Sequence, residues 1–442
     1  MLMTTARESE LLTRVGPGTP MGRLMRNYWL PALKSSELVA DGDPVRFKLL
    51  GEELIAFRDT QGRVGVMDHR CPHRCASLFF GRNEEGGLRC VYHGWKFDVN
   101  GNCLDMANVP PHQDFKHKVH ARAYKATERT GLVWVYMGER EVAPPLPAIE
   151  AHLLPESEVT IDMAMRECNW LQALEGDIDT SHFSFLHIGS TKLEELPEGD
   201  LSRYQILNKT PEFASDETPW GTMYAAFRPA MSGQLYWRVA HFMFPFFTMQ
   251  PNGEFARQIG SRAWVPLDDT HVMFVQVNWV GMKRATNNTT TGRPLAGSTG
   301  AFEYLPNSTD WLGRWRITRN LRNDYLIDRT AQRNDIIYTG ISGIHTQDQA
   351  VTESMGGIVD HTSEHLAPSD LMITQTRRRL LKALQAFETD GTLPPGIDDP
   401  GVYLGARGGH FMWDASVEWH DAYAAQLRAA QNPTGRLLQA AE

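Results

Sequence analysis

The sequence predicts an α+β protein, with a small all-β domain in the first third followed by a larger domain that mixes long strands with helices. Three observations carry this. Short β-like runs at 45–50, 53–58 and 63–68 are punctuated by Gly51 and by Thr60-Gln61-Gly62, and another run follows at 130–136. The proline-rich stretch Pro144-Pro145-Leu146-Pro147 reads as an exit linker. Beyond it, strand-like runs at 234–242, 263–266 and 271–279 alternate with helical patterns near 311–338, at 369–391 and from 413 to the end.

At 442 residues the chain exceeds one typical core, which fits two domains. Its opening residues carry charges where a secretory leader would be apolar, and the apolar run 237–249 is broken by Arg238, His241 and Pro245. A cytoplasmic chain with no membrane span is expected. The formal net charge of -9, with no basic stripe, argues against nucleic acid as a partner. The best basic run, Arg377-Arg378-Arg379, falls within a helix expected from an N-cap at Ser369 to Gly391, with Ile373, Leu380, Leu384 and Phe387 as its apolar stripe, so it reads as a solvated face. The stretch 286–308, rich in Asn, Thr, Gly and Pro, reads as a long surface loop.

The five cysteines are thinly spread and do not form a disulfide framework. Two of them sit beside histidines, as Cys71-x-His73 and, further on, Cys90-x2-His93, followed by Gly94-Trp95 and the Asn100-Gly101 turn expected to close a hairpin from 95–99. Two thiolates and two imidazoles at these spacings describe the ligands of a Rieske 2Fe-2S cluster, whose imidazoles remove negative charge and raise its potential. Closed zinc sites more often show C-x2-4-C knuckles. Cys75, Cys103 and Cys168 read as small buried hydrophobes.

The other chemistry-bearing stretch is Glu175-x3-Asp179-x2-His182-x4-His187. On an ideal helix the first three share a face, but His182 and His187 are separated by about 140°. Both can meet one ion only on an overwound or π-bulged backbone, so a distorted helix is expected. Two imidazoles and a carboxylate with open positions suit non-haem Fe(II) that handles dioxygen, and the five-residue step departs from the H-E-x-x-H zinc pattern.

Taken together, these motifs resemble the oxygenase (alpha) subunits of Rieske non-haem iron aromatic ring-hydroxylating enzymes, in particular the phthalate 4,5-dioxygenase-like group. The resemblance extends to the opening Leu12-Thr13-Arg14-Val15-Gly16-Pro17-Gly18-Thr19-Pro20-Met21-Gly22 and to Asp348-Gln349-Ala350-Val351-Thr352-Glu353-Ser354, and so covers nearly the whole chain. It implies an N-terminal segment (1–24) packed on the catalytic domain, a Rieske domain (25–140), and a catalytic domain (141–442) whose curved antiparallel sheet wraps a long helix, a helix-grip or START-like fold.

The resemblance also implies that His182 and His187 hold a mononuclear Fe(II). Asp324, Asp328, Asp335, Asp348, Glu353 and Asp360 are available for the third ligand, and the resemblance around Gln347 to Val351 points to Asp348. Asp179 would bridge to a Rieske histidine, His93 or His73, of a neighbouring subunit in a homotrimer or a hexamer of two stacked trimers. Glu175 would support the water network or serve only packing. The chain lacks a plant-type C-x4-C-x2-C cluster and a G-x-G-x-x-G turn, so electrons would come from a separate NADH-dependent flavin/iron-sulfur reductase.

An aromatic carboxylate, phthalate- or benzoate-like, would need a cation in an apolar pocket. Arg228 and Arg238, in aromatic strand-like stretches, are the expected substrate-binding residues, with Arg203 a third. Dioxygenation of that ring to a cis-dihydrodiol is the leading reading. The alternatives are a monooxygenase that removes an O-methyl group or cleaves an aryl ether, and a Rieske electron carrier with no second iron.

Overall fold

The computed structural model describes residues 4–282, 289–290, 295 and 302–435. The chain opens with two short helices, α1 (Ala6–Thr13), capped by Thr5 in a reciprocal arrangement with Glu8, and α2 (Pro20–Met25), with proline at its first position. Both pack on a later long helix, and α1 is also fastened by Trp170, whose buried indole Nε1 donates to the Leu12 carbonyl at 3.1 Å.

Ten strands follow: β1 (Trp29–Lys34), β2 (Val45–Leu49), β3 (Glu52–Arg58), β4 (Val64–Asp68), β5 (Arg82–Glu84), β6 (Gly87–Arg89), β7 (Trp95–Phe97), β8 (Cys103–Met106), β9 (Ala123–Arg129) and β10 (Leu132–Tyr136). A six-stranded antiparallel sheet runs β1-β10-β9-β4-β3-β2, and a four-stranded sheet runs β5-β6-β7-β8. Ile55, Phe57 and Met67 of the first pack with Leu88, Trp95 and Phe97 of the second in one apolar cluster. The β7–β8 hairpin is shorter than expected because the Asp98 carboxylate accepts from the backbone N–H groups of Asn100 and Asn102, which makes 98–102 a side-chain-closed loop.

The remaining strands are β11 (Val159–Arg166), β12 (Glu212–Thr218), β13 (Gly221–Pro229), β14 (Gln234–Met243), β15 (Phe247–Met249), β16 (Gly260–Asp268), β17 (His271–Trp279) and β18 (Gly409–Asp414). They form an eight-stranded antiparallel sheet in the order β11-β17-β16-β15-β14-β13-β12, with β18 on β14. The helices are α3 (Trp170–Ile178), α4 (Arg203–Leu207), α5 (Arg329–Arg333), α6 (Ile344–Ser354), α7 (Leu371–Asp390) and α8 (Trp419–Ala429). α3 lies against β14–β17, and the 20-residue α7 crosses β12 and β13. The fold class is the predicted α+β.

Both faces of β13 and β14 are covered. Tyr224, Ala226 and Ala240 turn toward the main core beneath α3 and α7, whereas Met223, Ala225, Trp237 and Val239 turn toward Phe411 of β18 and Tyr423 of α8. Strands sealed on both faces carry few polar side chains, which makes the arginines on the inner face conspicuous.

Three expectations need correction. The pattern near 311–338 yields only α5 and a 3-10 turn at Leu321–Leu326, because Asn320 and Asn323 spend their side chains on the Ile317 and Thr318 carbonyls and residues 324–326 take positive φ. The segment from 413 on begins as strand β18 before α8 forms. Cys75 is exposed, at φ 59°, not buried, whereas Cys103 and Cys168 are buried. The loop expected at 286–308 lies largely outside the described residues. Among the described residues, no helix is long and apolar enough to cross a membrane.

Candidate metal centres

Two loops of the small domain converge. In each, the N–H four residues on folds back to a cysteine carbonyl: Cys75 to Cys71 at 2.8 Å and Gly94 to Cys90 at 2.9 Å, the second turn needing the positive φ of Gly94. Cys71 and Cys90 are buried at the base of the loops, while His73 and His93 stand half-buried above them, ring centroids 4.4 Å apart. His73 stacks on Trp95, whose Nε1 donates to Asn108 at 2.8 Å. Beside the loops, Val91 and Tyr92 are exposed.

The donor set fits an iron-sulfur cluster on two observations. His73 Nδ1 is buried with no hydrogen-bond partner among the described residues. Burial pushes the Cys71 thiol up to about 12 against the pull of the His73 backbone N–H, so at neutral pH a bound cation is needed to displace its proton to solvent.

The second centre begins on α3, whose N-cap Asn169 accepts from the Leu171 N–H at 3.0 Å. The distortion expected between His182 and His187 is present, but the helix does not run on from Glu175: α3 stops at Ile178. Asp179 is extended (φ -80°, ψ 120°), and its Oδ1 accepts from the N–H and hydroxyl of Ser181 at 2.7 and 2.8 Å, a side-chain-closed turn that diverts the backbone. A π-helical turn, Phe183–His187, follows. Its wide winding carries His187 round to His182, with the two Nε2 atoms 3.1 Å apart.

From α6, the Asp348 Oδ1 reaches 3.0 Å from His187 Nε2 and 3.7 Å from His182 Nε2. Ligands about 2.1 Å from one ion and roughly at right angles to each other stand about 3 Å apart, so these separations fit a shared metal. Each imidazole is anchored at its other nitrogen: His182 Nδ1 faces Asp179 Oδ2 at 3.2 Å, and His187 Nδ1 faces Gln347 Oε1 at 2.7 Å. Burial by itself would raise the Asp348 carboxyl, but the neighbouring His187 and His182 hold it well below the usual carboxylate range.

The other acids of that segment are engaged elsewhere. Asp328 caps α5, Asp335 accepts from Ser190, Glu353 from Tyr325 and Gln349, and Asp360 from Thr362 and Ser363, while Asp324 is not part of the His182–His187–Asp348 group.

Glu175 turns away from this centre. Both its oxygens meet the guanidinium of Arg377 at 2.6 Å, and Arg377 also holds Glu364. The solvated-face reading of the arginine triplet is therefore wrong at Arg377, which is 3% exposed, and holds at Arg378. Arg377 stands four residues after Ile373 and three before Leu380, on the stripe that faces the core.

Arg228 and Arg238 lie on one face of β13 and β14, where Arg228 pairs with Tyr236 and Ala226 with Arg238. Arg238 Nε donates to Thr180 Oγ1 at 2.8 Å, and its guanidinium covers the Phe183 ring, which puts it next to His182 in the fold. Arg228 is fully buried. Its Nε donates to the Asn208 carbonyl at 2.7 Å, while Nη1 and Nη2 have no hydrogen-bond partner among the described residues. Burial, then the neighbouring Arg238, pulls it down to about 10. Arg203 is spent on the Leu193 and Leu196 carbonyls, both at 2.8 Å. Gln347 and Thr180 were not singled out from the sequence, because nothing local in sequence ties them to His187 or Arg238.

Two family models and several known proteins match the chain. Residues 28–122 match the Rieske [2Fe-2S] domain, and residues 135–402 match the model described as LigXa C-terminal domain like. The chain is 51% identical over 428 residues, 96% of its length and 99% of the relative's, to the 3-chlorobenzoate-3,4-dioxygenase oxygenase subunit of Comamonas testosteroni. It is 39% identical over 434 residues, 96% of its length and 95% of the relative's, to the phthalate 4,5-dioxygenase oxygenase subunit of Pseudomonas putida. Crystalline dicamba monooxygenase bound to dicamba superposes with a TM-score of 0.52 at 17% identity, covering 82% of this chain and 98% of that one.

Proposed function

The chain belongs to the Rieske non-haem iron oxygenases, and from that premise we propose that it hydroxylates a phthalate- or benzoate-like carboxylate to a cis-dihydrodiol at an iron held by His182, His187 and Asp348. The convergence of these three side chains, two from the α3 exit and one from α6, is the observation that carries the reading. The relatives named for 3-chlorobenzoate and phthalate dioxygenation support the substrate class.

In this reading Cys71, His73, Cys90 and His93 hold the 2Fe-2S cluster. When bound, the cluster supplies single electrons and the mononuclear iron activates dioxygen. The protein's own contribution is orientation. Asp179 and Gln347 each accept a proton-bearing Nδ1, so that both Nε2 lone pairs point at the same place. Arg238 places a guanidinium beside the Phe183 ring, and Arg228, sharing its face, offers unspent donors to a carboxylate. Tyr224 and Tyr236, on the same face of β13 and β14 as the two arginines, are fully buried.

Asp179, only partly covered, is the contact to His93 or His73 of the partner subunit in a homotrimer, or in two stacked trimers. A separate NADH-dependent flavin/iron-sulfur reductase is the electron source, and the enzyme works in the cytoplasm. The division 1–24, 25–140 and 141–442 goes with this reading.

A single turnover tests it. The purified protein is loaded with Fe(II), reduced chemically, and given labelled dioxygen with a pooled set of benzoates, phthalates and methoxybenzoates. A cis-diol carrying both labelled atoms is expected. Formaldehyde with a phenol would make the protein an O-demethylase, and no aromatic product from a filled iron site would overturn the substrate class.

A further inference from the structure

Behind the His182–His187–Asp348 group lies a buried cation that the ligand set does not use. Arg166, the last residue of β11, is 2% exposed, and no carboxylate among the described residues lies within ion-pair distance of it. A guanidinium so placed is costly unless the fold has a use for its charge.

Its hydrogen bonds point to that use. Nη1 donates to Thr352 Oγ1 and Nη2 to His345 Nδ1, each at 3.3 Å. These residues lie on α6 one turn after and one turn before Asp348, and Thr352 Oγ1 in turn donates to the Asp348 carbonyl at 2.8 Å. The guanidinium therefore spans the turn that presents the carboxylate. The Trp264 ring covers its face at 4.6 Å, and the His345 ring is boxed by Phe274 and Phe302, so the assembly is packed and has little room to shift.

We infer that Arg166 is a positioning residue for the proposed iron site, fixing the α6 turn that carries Asp348 and, as a buried positive charge, favouring the ferrous over the ferric state. This rests on the iron reading above. With two neutral imidazoles and one carboxylate, a dication leaves the site with a net positive charge, and a second buried cation opposes the further charge gained on oxidation.

The experiment is a mediated redox titration of the mononuclear iron, followed by high-spin Fe(III) EPR, with Fe(II) dissociation constants from chelator competition. The holoenzyme, Arg166→Gln and Arg166→Lys are compared, with far-UV circular dichroism and a cooperative thermal melt as the check on folding. A purely structural role would weaken Fe(II) and Fe(III) binding alike and leave their ratio unmoved.

In Arg166→Gln the ratio is expected to move about tenfold toward Fe(III), which is about 59 mV for one electron, and Arg166→Lys should restore most of it. A shift under threefold, or one that lysine does not restore, overturns the inference. If Arg166→Gln does not fold, the apolar double variant Arg166→Met/His345→Leu removes the charge together with its ring acceptor and is held to the same threshold. Asp348→Ala separates the two readings: if it keeps the second iron, the iron assignment falls, and this inference falls with it.

Discussion

His187 and Gln347 fix one another's orientation. The imidazole Nδ1 lies 2.7 Å from the amide Oε1, and the amide nitrogen donates to the Ile341 carbonyl at 2.7 Å and the Thr339 hydroxyl at 3.2 Å. Because the amide nitrogen is engaged, only its oxygen can face the ring, so Nδ1 must carry the proton and Nε2 the lone pair. Gln347→Leu removes the acceptor while leaving the ligands. Fe(II) affinity should fall roughly 10- to 100-fold, measured by chelator competition, whereas Gln347→Glu, which still accepts from Nδ1 but gives up the donors to Ile341 and Thr339, should lose less than the leucine variant. Equal affinity in the leucine variant would mean that the tautomer is set elsewhere.

Asp348 should be separable from the cluster. Its Oδ1 stands 3.0 Å from His187 Nε2, while the paired cysteines and histidines sit on loops of the other domain. Asp348→Ala is expected to lower iron content by one atom per chain, abolish oxygen incorporation and leave the Rieske absorbance unchanged. Asp335→Ala and Asp360→Ala, whose carboxylates serve Ser190 and a local turn, should keep the full iron content. Loss of the Rieske signal in Asp348→Ala would show that the two centres do not fold independently.

What could be read in the sequence was what is local in it. Cys71-x-His73, Cys90-x2-His93 and the His182–His187 pair each sit within a single turn, so spacing alone carried their chemistry. Asp348 meets His187 across 161 positions of chain, and six acids within 324–360 offered no local sign by which to choose. The stop at Asp179 was hidden because no glycine or proline marks it; a side-chain turn through Ser181 ends the helix instead. Arg377 was misread because a run of three arginines suggests solvent, although its place on the Ile373–Leu380 stripe already assigned it to the inner face.

The Glu175–Arg377 pair is a matter of stability, not of iron. Their side chains are 8% and 4% exposed and share two hydrogen bonds at 2.6 Å. Glu175→Ala leaves a buried guanidinium with Glu364 and the Thr4 hydroxyl, and breaking a pair of this kind costs about 3–5 kcal/mol. Denaturant unfolding should show that loss, with iron content per folded chain unchanged. Glu175→Leu/Arg377→Met removes both charges and should recover most of the stability. Loss of the mononuclear iron in folded Glu175→Ala would instead tie this acid to the metal centre.

The two inner-face arginines make opposite predictions for stability and the same one for binding. Arg228 is fully buried, with both terminal nitrogens unpartnered among the described residues, so it carries a desolvation cost there that a bound carboxylate would offset. Arg228→Met should leave the melting temperature unchanged or raise it. Arg238, bonded to Thr180 and covering Phe183, contributes to the packing beside His182, so Arg238→Met should lower the melting temperature modestly. If both guanidinia receive the carboxylate, each methionine variant should also raise KM for an aromatic carboxylate by about 10- to 100-fold, the equivalent of one charge-assisted hydrogen bond at roughly 1.5–3 kcal/mol. The same aromatic with its carboxylate replaced by a neutral amide should bind the parent more weakly but Arg228→Met about equally well. A variant that discriminates acid from amide as strongly as the parent does would remove that arginine from the substrate site, whatever its effect on stability.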